Sequence, residues 1–261
     1  MVYELLWLPV VLRDAGLKVA LTDGWESRGR AHMGTIAGVI CHHTAGPKQG
    51  NMPSLNLLIE GRSDLAGPLA QLGLGRDGTF YVIAAGRCNH AGAGTWQGIT
   101  SGNTNFIGIE AENAGVAGDP WPDVQLDAYA RGVAAILSHV KHGAQACAGH
   151  KEYALPPGRK TDPNFDMSDF RAKVQGFMTG TATPRPMIPA QEPTGQGQNR
   201  PTLRRNATGD LVKWIQVKLH IPDNGTFDAD VEASVRQFQR EHNLVPDGIV
   251  GPKTWIALDA A

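Results

Sequence analysis

The sequence predicts an α/β domain, built on a mixed central β-sheet flanked by helices, followed by a small all-α domain of three helices. In the first part of the chain, short β-rich segments are interspersed with long helical patterns, which is typical of helices packed on a sheet. A stretch dominated by Pro, Gly, Thr and Gln then separates a last piece of about 60 residues, near the lower size limit of an independent domain. We predict domains over 1–179 and 202–261, with a linker over 180–201.

Hydrophobic periodicity indicates the elements of the first domain in turn. Alternating, β-rich residues predict strands over 37–42, 79–84 and 106–111, and helical spacing predicts helices over 52–61 and 122–142. The last of these helices has the clearest apolar face, formed by Val124, Tyr129, Val133, Ile136, Leu137 and Val140.

A degenerate repeat marks the second domain. The segment 222–228 resembles 246–252, and each copy combines a glycine turn with a helix start. Asp228 is a favourable N-cap residue, and Pro252 suits a first helical position. Together with an earlier apolar period over 211–219, these starts predict a three-helix module.

Composition argues against several classes of protein. The chain has a formal net charge of −1 and therefore lacks the excess of positive charge that would attract nucleic acid. Binding of nucleic acid depends on neutralising its phosphates, so this class of partner is not expected. Its three cysteines, Cys41, Cys88 and Cys147, are odd in number and widely spaced, which argues against a disulfide framework and fits a reducing compartment.

The N-terminal apolar run does not resemble a secretory signal, because no Lys or Arg precedes it and Glu4 interrupts it. No window approaches the roughly 20 apolar residues that a membrane span needs. We therefore expect no signal peptide, no membrane insertion and a protein that stays in the cytoplasm of the cell that makes it. No extended heptad is present, and the sequence predicts no oligomeric state.

Candidate metal ligands lie at the end of the first predicted strand and far downstream. Adjacent strand residues point to opposite faces, so only one of His42 and His43 can easily enter a given cleft. His150 and Asp162 follow more than a hundred residues later. Two imidazoles and one carboxylate, with a fourth position open to water, form a catalytic zinc pattern that activates water near pH 7.

Other interpretations of these residues are open. A His-His pair beside a buried strand is more often a hydrogen-bonded structural pair than a metal site. Cys147 and His150 form a competing C-x-x-H fragment, although Cys is also a common buried apolar residue. Spacing alone does not choose between Cys147 and Asp162 as a ligand.

Two further features of the sequence are candidates for a role in catalysis or substrate binding. Glu110 and Glu112 share one face of the strand over 106–111 and its continuation. They either face solvent on an edge strand or lie at a cleft, where a carboxylate orients or deprotonates a metal-bound water. His90 is either a substrate-binding group or a polar loop residue.

Taken together, these motifs resemble the zinc N-acetylmuramoyl-L-alanine amidases of type 2, which also gave rise to peptidoglycan recognition proteins. The resemblance rests on five motifs in this order: His-His-Thr-Ala at 42–45, Asn-His-Ala-Gly at 89–92, Ile-Gly-Ile-Glu at 107–110, Gly-His at 149–150 and Arg-Lys-x-Asp-Pro at 159–163. It implies Zn²⁺ ligands at His42, His150 and Asp162, and it removes Cys147 as a ligand.

The resemblance also implies residue roles. Glu110 would position and activate the zinc water, and Lys160 would stabilise the oxyanion of the tetrahedral intermediate. For substrate binding we predict His90, His43 and Glu112. One departure from the family is the twelve-residue step from His150 to Asp162, which a Pro-Pro-Gly loop could absorb.

The last domain resembles the peptidoglycan-binding three-helix modules, with matching segments at 203–205, 209–212, 235–239 and 247–255. The combination resembles a phage endolysin that cuts between N-acetylmuramic acid and L-alanine of bacterial peptidoglycan. Such an enzyme waits in the host cytoplasm until the membrane is opened and then acts on the cell wall. The alternatives are a non-catalytic peptidoglycan receptor and a zinc peptidase that cuts within the stem peptide.

Overall fold

A computed structural model describes residues 3–182 and 200–260 of the chain. The chain divides into two compact units, Met1–Met187 and Ile188–Ala261. Most of the linker that the sequence predicts over 180–201 lies outside the described residues, so the predicted domain boundaries stay predictions. Among the helices in the described part, none combines the length and apolarity needed to cross a membrane.

The first unit is built on a six-stranded mixed sheet, as the sequence predicts. Its strands are β1 Lys18–Leu21, β2 Gly38–His43, β5 Leu72–Leu74, β6 Thr79–Val82, β7 Phe106–Ala111 and β8 Cys147–Gly149. They lie in the order β1-β6-β5-β7-β2-β8, and every neighbouring pair is parallel except β5 and β6. A separate two-stranded ladder joins β3 Gly61–Arg62 to β4 Leu65–Ala66.

Helices surround this sheet. They are α1 Leu8–Asp14, α2 Leu55–Glu60, α3 Gly102–Asn105, α4 Asp123–His139, α5 His150–Tyr153 and α6 Met167–Met178. The long helix α4 packs against α1 and α6 and contacts β2. Its predicted apolar face is buried, because Tyr129, Val133, Ile136 and Leu137 are fully inaccessible to solvent.

Alternation along β2 and β7 gives the sheet two different faces. Val39 and Cys41 of β2, like Ile107 and Ile109 of β7, belong to the large core that also contains α4. Ile40 lies on the opposite face in a smaller apolar cluster. The same alternation places His42 with Ile40 and sends His43 to the α4 side.

The predicted elements are confirmed with small shifts at their ends. The strand predicted over 106–111 has those bounds, the one over 37–42 is shifted by one residue, and the one over 79–84 is two residues shorter. Because β7 pairs with both β5 and β2, it is an internal strand. The alternative that placed the two glutamates on a solvent-facing edge strand is therefore wrong.

The second unit contains the predicted three helices, α7 Asp210–Lys218, α8 Ala229–Glu241 and α9 Pro252–Ala260. Asp228 caps α8, since its side chain accepts hydrogen bonds from the backbone N–H groups of residues 230 and 231. Phe238 and Trp255 lie in the core of this unit.

The sequence repeat of the second unit has a structural basis in two buried glutamines. The side-chain oxygen of Gln216 in α7 accepts a hydrogen bond from the backbone N–H of Gly225, at 2.8 Å. The side-chain oxygen of Gln239 in α8 accepts one from Gly248, at 2.9 Å. In each copy a helix glutamine thus holds the glycine turn that follows its helix.

Candidate metal centre and active site

Three adjacent parallel strands, β7, β2 and β8, bring Glu110, His42 and His150 together at their carboxyl ends. His42 is the last but one residue of β2 and lies beside Glu110 of β7 in the strand register. On the other side of β2, Cys41 pairs with Gly149 of β8, and His150 follows directly. The carboxyl ends of parallel strands are a common place for ligand sites, because side chains from several strands meet there.

The side chains of His42, His150 and Asp162 converge. The Nδ1 atoms of the two histidines are 2.9 Å apart, and Oδ2 of Asp162 lies 3.2 Å from Nδ1 of His42 and 3.0 Å from Nδ1 of His150. Ligand atoms at about 2.0–2.1 Å from a tetrahedral zinc ion are separated by about 3.3 Å. These three atoms, Nδ1 of His42, Nδ1 of His150 and Oδ2 of Asp162, form what we call the donor triangle. Its size matches the spacing of ligand atoms around one zinc ion.

The protonation states of these groups fit a divalent cation. Burial, together with the neighbouring His150, lowers the pKa of His42 to about 4, so its imidazole is neutral near pH 7. Burial would raise the pKa of Asp162, but its close contacts with His150 and His42 outweigh burial and hold the pKa below its ordinary range. The site thus offers neutral imidazole and anionic carboxylate, which are zinc ligands.

The outer ring nitrogens of the two histidines are also occupied. Nε2 of His42 lies 3.1 Å from Nδ1 of His90, whose Nε2 is 3.2 Å from the carbonyl oxygen of Phe106. Nε2 of His150 lies 3.0 Å from the carbonyl oxygen of Ala91. The contact at Nε2 thus fixes the orientation of each imidazole, and its Nδ1 atom points into the donor triangle.

Glu110 lies beside the donor triangle. Its Oε1 atom is 3.8 Å from Nδ1 of His42, and its side chain is 16% exposed. Its Oε2 atom is buried and has no hydrogen-bond partner. Burial, with a further contribution from Asp162, raises the pKa of Glu110 to about 8, while the positive charge of Lys160 opposes the shift. The carboxyl group is therefore poised to exchange a proton next to the donor triangle.

Hydrogen bonds hold the long step from His150 to Asp162 at several points. The backbone N–H of Lys151 donates to the carbonyl oxygen of Asp162, at 2.7 Å. The guanidinium of Arg159 donates to the carbonyl oxygens of Leu155 and Ala93, at 2.8 and 2.5 Å. Lys160 is half-buried in this loop, and its charge acts on both Glu110 and His42. The extra loop length thus leaves Asp162 next to His150.

The alternative metal fragment that includes Cys147 is not assembled. Cys147 belongs to the large core on the α4 side of the sheet. Its Sγ atom lies 3.5 Å from Sγ of Cys41, and both thiols are buried. Among the described residues, the group of side chains able to hold a metal ion is His42, His150 and Asp162.

The three side chains predicted to bind substrate have different surroundings. His43 points away from the donor triangle, towards Trp121 at 6.3 Å between ring centroids. Glu112 is fully buried and accepts hydrogen bonds from Ser54 and Thr44. His90 alone lies at the site, where it contacts His42. Since none of the three is more than 9% exposed, direct substrate contact by them stays a prediction that their burial does not favour.

Several residues that support the site could not be found from the sequence. The hydroxyl of Tyr129 accepts a hydrogen bond from the backbone N–H of His42 and lies 2.9 Å from the carbonyl oxygen of Ile109. Arg171 pairs with Glu152, whose carboxylate also accepts a hydrogen bond from the backbone N–H of residue 149. Their spacing in the sequence carries no pattern, because each acts through a contact made only in the fold.

Comparison with known proteins gives matches over both units. Residues 32–165 match the family model described as N-acetylmuramoyl-L-alanine amidase, and residues 208–258 match a model described as a peptidoglycan binding domain. An uncharacterized protein of the bpoA1 3′ region of Kitasatospora aureofaciens is 36% identical over 91 residues, which are 32% of this chain and 77% of that protein.

Comparison with solved structures gives further matches. A crystal structure of AmpD is 25% identical, with a TM-score of 0.45, and covers 60% of this chain and 94% of its own. The N-acetylmuramyl-L-alanine amidase AmiD from E. coli is 19% identical, with a TM-score of 0.44, and the match covers 89% of this chain and 91% of that one.

The amidase family model spans all the residues that form the site. It includes the donor triangle of His42, His150 and Asp162 as well as Glu110 and Lys160. The match extends over 134 of the 261 residues, from 32 to 165, which is more than half of the chain. The chain therefore belongs to the N-acetylmuramoyl-L-alanine amidase family of enzymes.

Proposed function

We propose that the protein is a zinc-dependent amidase that hydrolyses the bond between N-acetylmuramic acid and L-alanine in bacterial peptidoglycan. The observation that carries the proposal is the donor triangle of His42, His150 and Asp162, whose ligand atoms all lie within 4.8 Å of one another. Three donors leave a fourth tetrahedral position free, as catalytic zinc sites require. A non-catalytic receptor would have no need of a complete and buried donor set.

The protein side chains would divide the reaction between them. When bound, zinc supplies a Lewis acid that polarises the amide carbonyl and promotes ionisation of water. In its ionised form, the Glu110 carboxylate would take a proton from the attacking water as the oxygen adds to the carbonyl carbon. It then gives that proton to the amide nitrogen, and the carbon–nitrogen bond breaks to release the L-alanine amine.

Lys160 would stabilise the negative charge that develops on the carbonyl oxygen. Lys160 itself is half-buried in the otherwise exposed loop of residues 156–161, and its positive charge already acts on Glu110. A fixed positive charge is most effective where water is largely excluded, and it needs no reorganisation during the reaction. Lys160 would thus serve the transition state, while Glu110 moves the proton.

The second unit would hold the enzyme on its polymeric substrate. A binding unit joined to a catalytic one raises the local concentration of substrate without any new contact at the active site. We propose that the protein acts in this way as a phage endolysin, accumulating in the host cytoplasm and reaching the wall when the membrane is opened. Expressed inside a susceptible bacterium, it should lower culture turbidity only after permeabilisation with chloroform, and lysis without that treatment would contradict this role.

The bond that is cut distinguishes the amidase from a stem peptidase. We expect mass spectrometry of digested, purified walls to show new stem peptides that begin with L-alanine, together with glycan that has lost its peptides. A peptidase with the same metal site would instead create an amino terminus at a later residue of the stem. A receptor would release no fragments at all.

A further inference from the structure

The loop at residues 90–91 contacts both candidate zinc-binding histidines on the side away from the donor triangle. The imidazole of His90 meets Nε2 of His42 at 3.1 Å, and the carbonyl oxygen of Ala91 meets Nε2 of His150 at 3.0 Å. Consecutive residues of one loop thus hold the outer nitrogens of two ligands that are far apart in the sequence.

The partners of His90 fix which of its ring nitrogens carries a proton. Its Nε2 faces the carbonyl oxygen of Phe106 at 3.2 Å, and a carbonyl oxygen can only accept. Nε2 of His90 must therefore donate, which leaves Nδ1 as the acceptor in a neutral imidazole. Nε2 of His42 then carries the proton that Nδ1 of His90 accepts, and Nδ1 of His42 keeps its lone pair.

We propose that His90 is a positioning residue that selects the metal-binding tautomer of His42. This assignment rests on the proposed zinc site, and it replaces direct substrate binding as the task of His90. In metal sites, a partner on the far nitrogen of a ligand histidine fixes both the tautomer and the orientation of the ring. Here that partner is a second histidine, itself set by a main-chain carbonyl group.

The surrounding residues are arranged around the His90 ring. A Cβ atom at Gly108 would lie 2.6 Å from the ring, so β7 carries a glycine where the imidazole packs against the strand. The side-chain oxygen of Asn103 accepts hydrogen bonds from the backbone N–H groups of His90 and Ala91, at 2.9 and 2.7 Å. The ring is thus held through its backbone, its packing and both nitrogens, and it is only 8% exposed.

Two substitutions at residue 90 separate hydrogen bonding from packing. His90→Leu keeps much of the volume but offers no acceptor, whereas His90→Asn places an acceptor oxygen near the former Nδ1 position. We expect His90→Leu to weaken zinc affinity by about 10- to 100-fold, the usual effect of losing such a partner. His90→Asn should recover most of that loss. Affinity is measured by competition with a chromophoric chelator on the full-length protein.

The outcomes distinguish this inference from the proposed function. If wild-type protein binds no zinc, the proposed function fails. If wild type binds zinc tightly and His90→Leu binds it equally well, or better than His90→Asn, the zinc site stands and the assignment of His90 is wrong. Thermal unfolding of the metal-free variants verifies that each is folded.

A measurement on the wild type alone keeps the inference testable should the variants not fold. In zinc-loaded protein, ¹⁵N chemical shifts of the imidazoles should show His90 protonated at Nε2 and unprotonated at Nδ1. The His42 ring should carry its proton at Nε2, hydrogen-bonded to His90. A proton on Nδ1 of His90 would overturn the proposal, since that nitrogen could not then accept from His42.

Discussion

Replacing Glu110 with glutamine is expected to lower kcat by about 10²- to 10⁴-fold, the usual contribution of a general acid–base group. Glutamine keeps the size and polarity of the side chain, but it cannot take a proton from water and return it to the leaving amine. The carboxylate is not part of the donor triangle, so zinc content should stay at the wild-type value. The measurement is the rate of turbidity loss of purified walls, with metal analysis of the same preparation.

The matched control for this substitution is Glu26→Gln, which changes an exposed glutamate of the same unit. It should lyse walls at the wild-type rate. A Glu110→Gln variant that keeps more than about a tenth of wild-type activity falls outside the range for loss of a proton-transfer group, and it would remove Glu110 from the mechanism.

Replacing His150 with alanine is expected to abolish both zinc binding and lysis. The change leaves two of the three donors, His42 and Asp162, and creates a gap in a site that is almost wholly buried. Wild-type protein should gain about 4 kcal/mol of stability from zinc at a thousandfold excess over Kd, because the ion binds only the folded state. The thermal midpoint of His150→Ala should not respond to zinc.

An exposed histidine provides the comparison for this second variant. His32, whose side chain is 56% exposed, pairs with Glu4 away from the donor triangle. His32→Ala should bind zinc and lyse walls like wild type. Retention of full zinc stoichiometry by His150→Ala would show that the metal is held elsewhere, and the ligand set would then be wrong.

The parts of the fold that were predicted from sequence are those with a strong local pattern. The strands β2 and β7 and the helix α4 have clear hydrophobic periods, and their positions were predicted within a few residues. In the second unit, α8 and α9 follow from a cap residue, a proline and a repeated glycine turn, and α7 follows from an apolar period over 211–219. In each case the local sequence preference agrees with the final packing.

The strands β1, β5 and β8, of three or four residues each, were not predicted, because none of them lies in a longer stretch of alternating residues that would mark it as a strand. Without β8, the sequence shows no reason for His150 to lie beside His42. The resemblance to the amidase family predicted that His150 lies beside His42. The register of β2 with β8 is the physical reason for it.

The roles of the polar residues near the proposed metal site could not be predicted from the sequence either. Glu112 shares a strand face with Glu110 in the sequence pattern, yet it lies beyond the end of β7 and accepts hydrogen bonds from Ser54 and Thr44. The sequence predicted His90 as a substrate-binding group, whereas both its ring nitrogens have partners inside the protein. Burial and hydrogen-bond partners depend on tertiary contacts, which no local pattern contains.

The most direct test of the proposed zinc site is a crystal structure of the purified protein. Anomalous diffraction data would be collected on both sides of the zinc absorption edge. The account predicts one strong anomalous peak about 2.0–2.2 Å from Nδ1 of His42, Nδ1 of His150 and a carboxylate oxygen of Asp162. A peak coordinated by other side chains, or zinc-saturated crystals with no peak at these three residues, would contradict it.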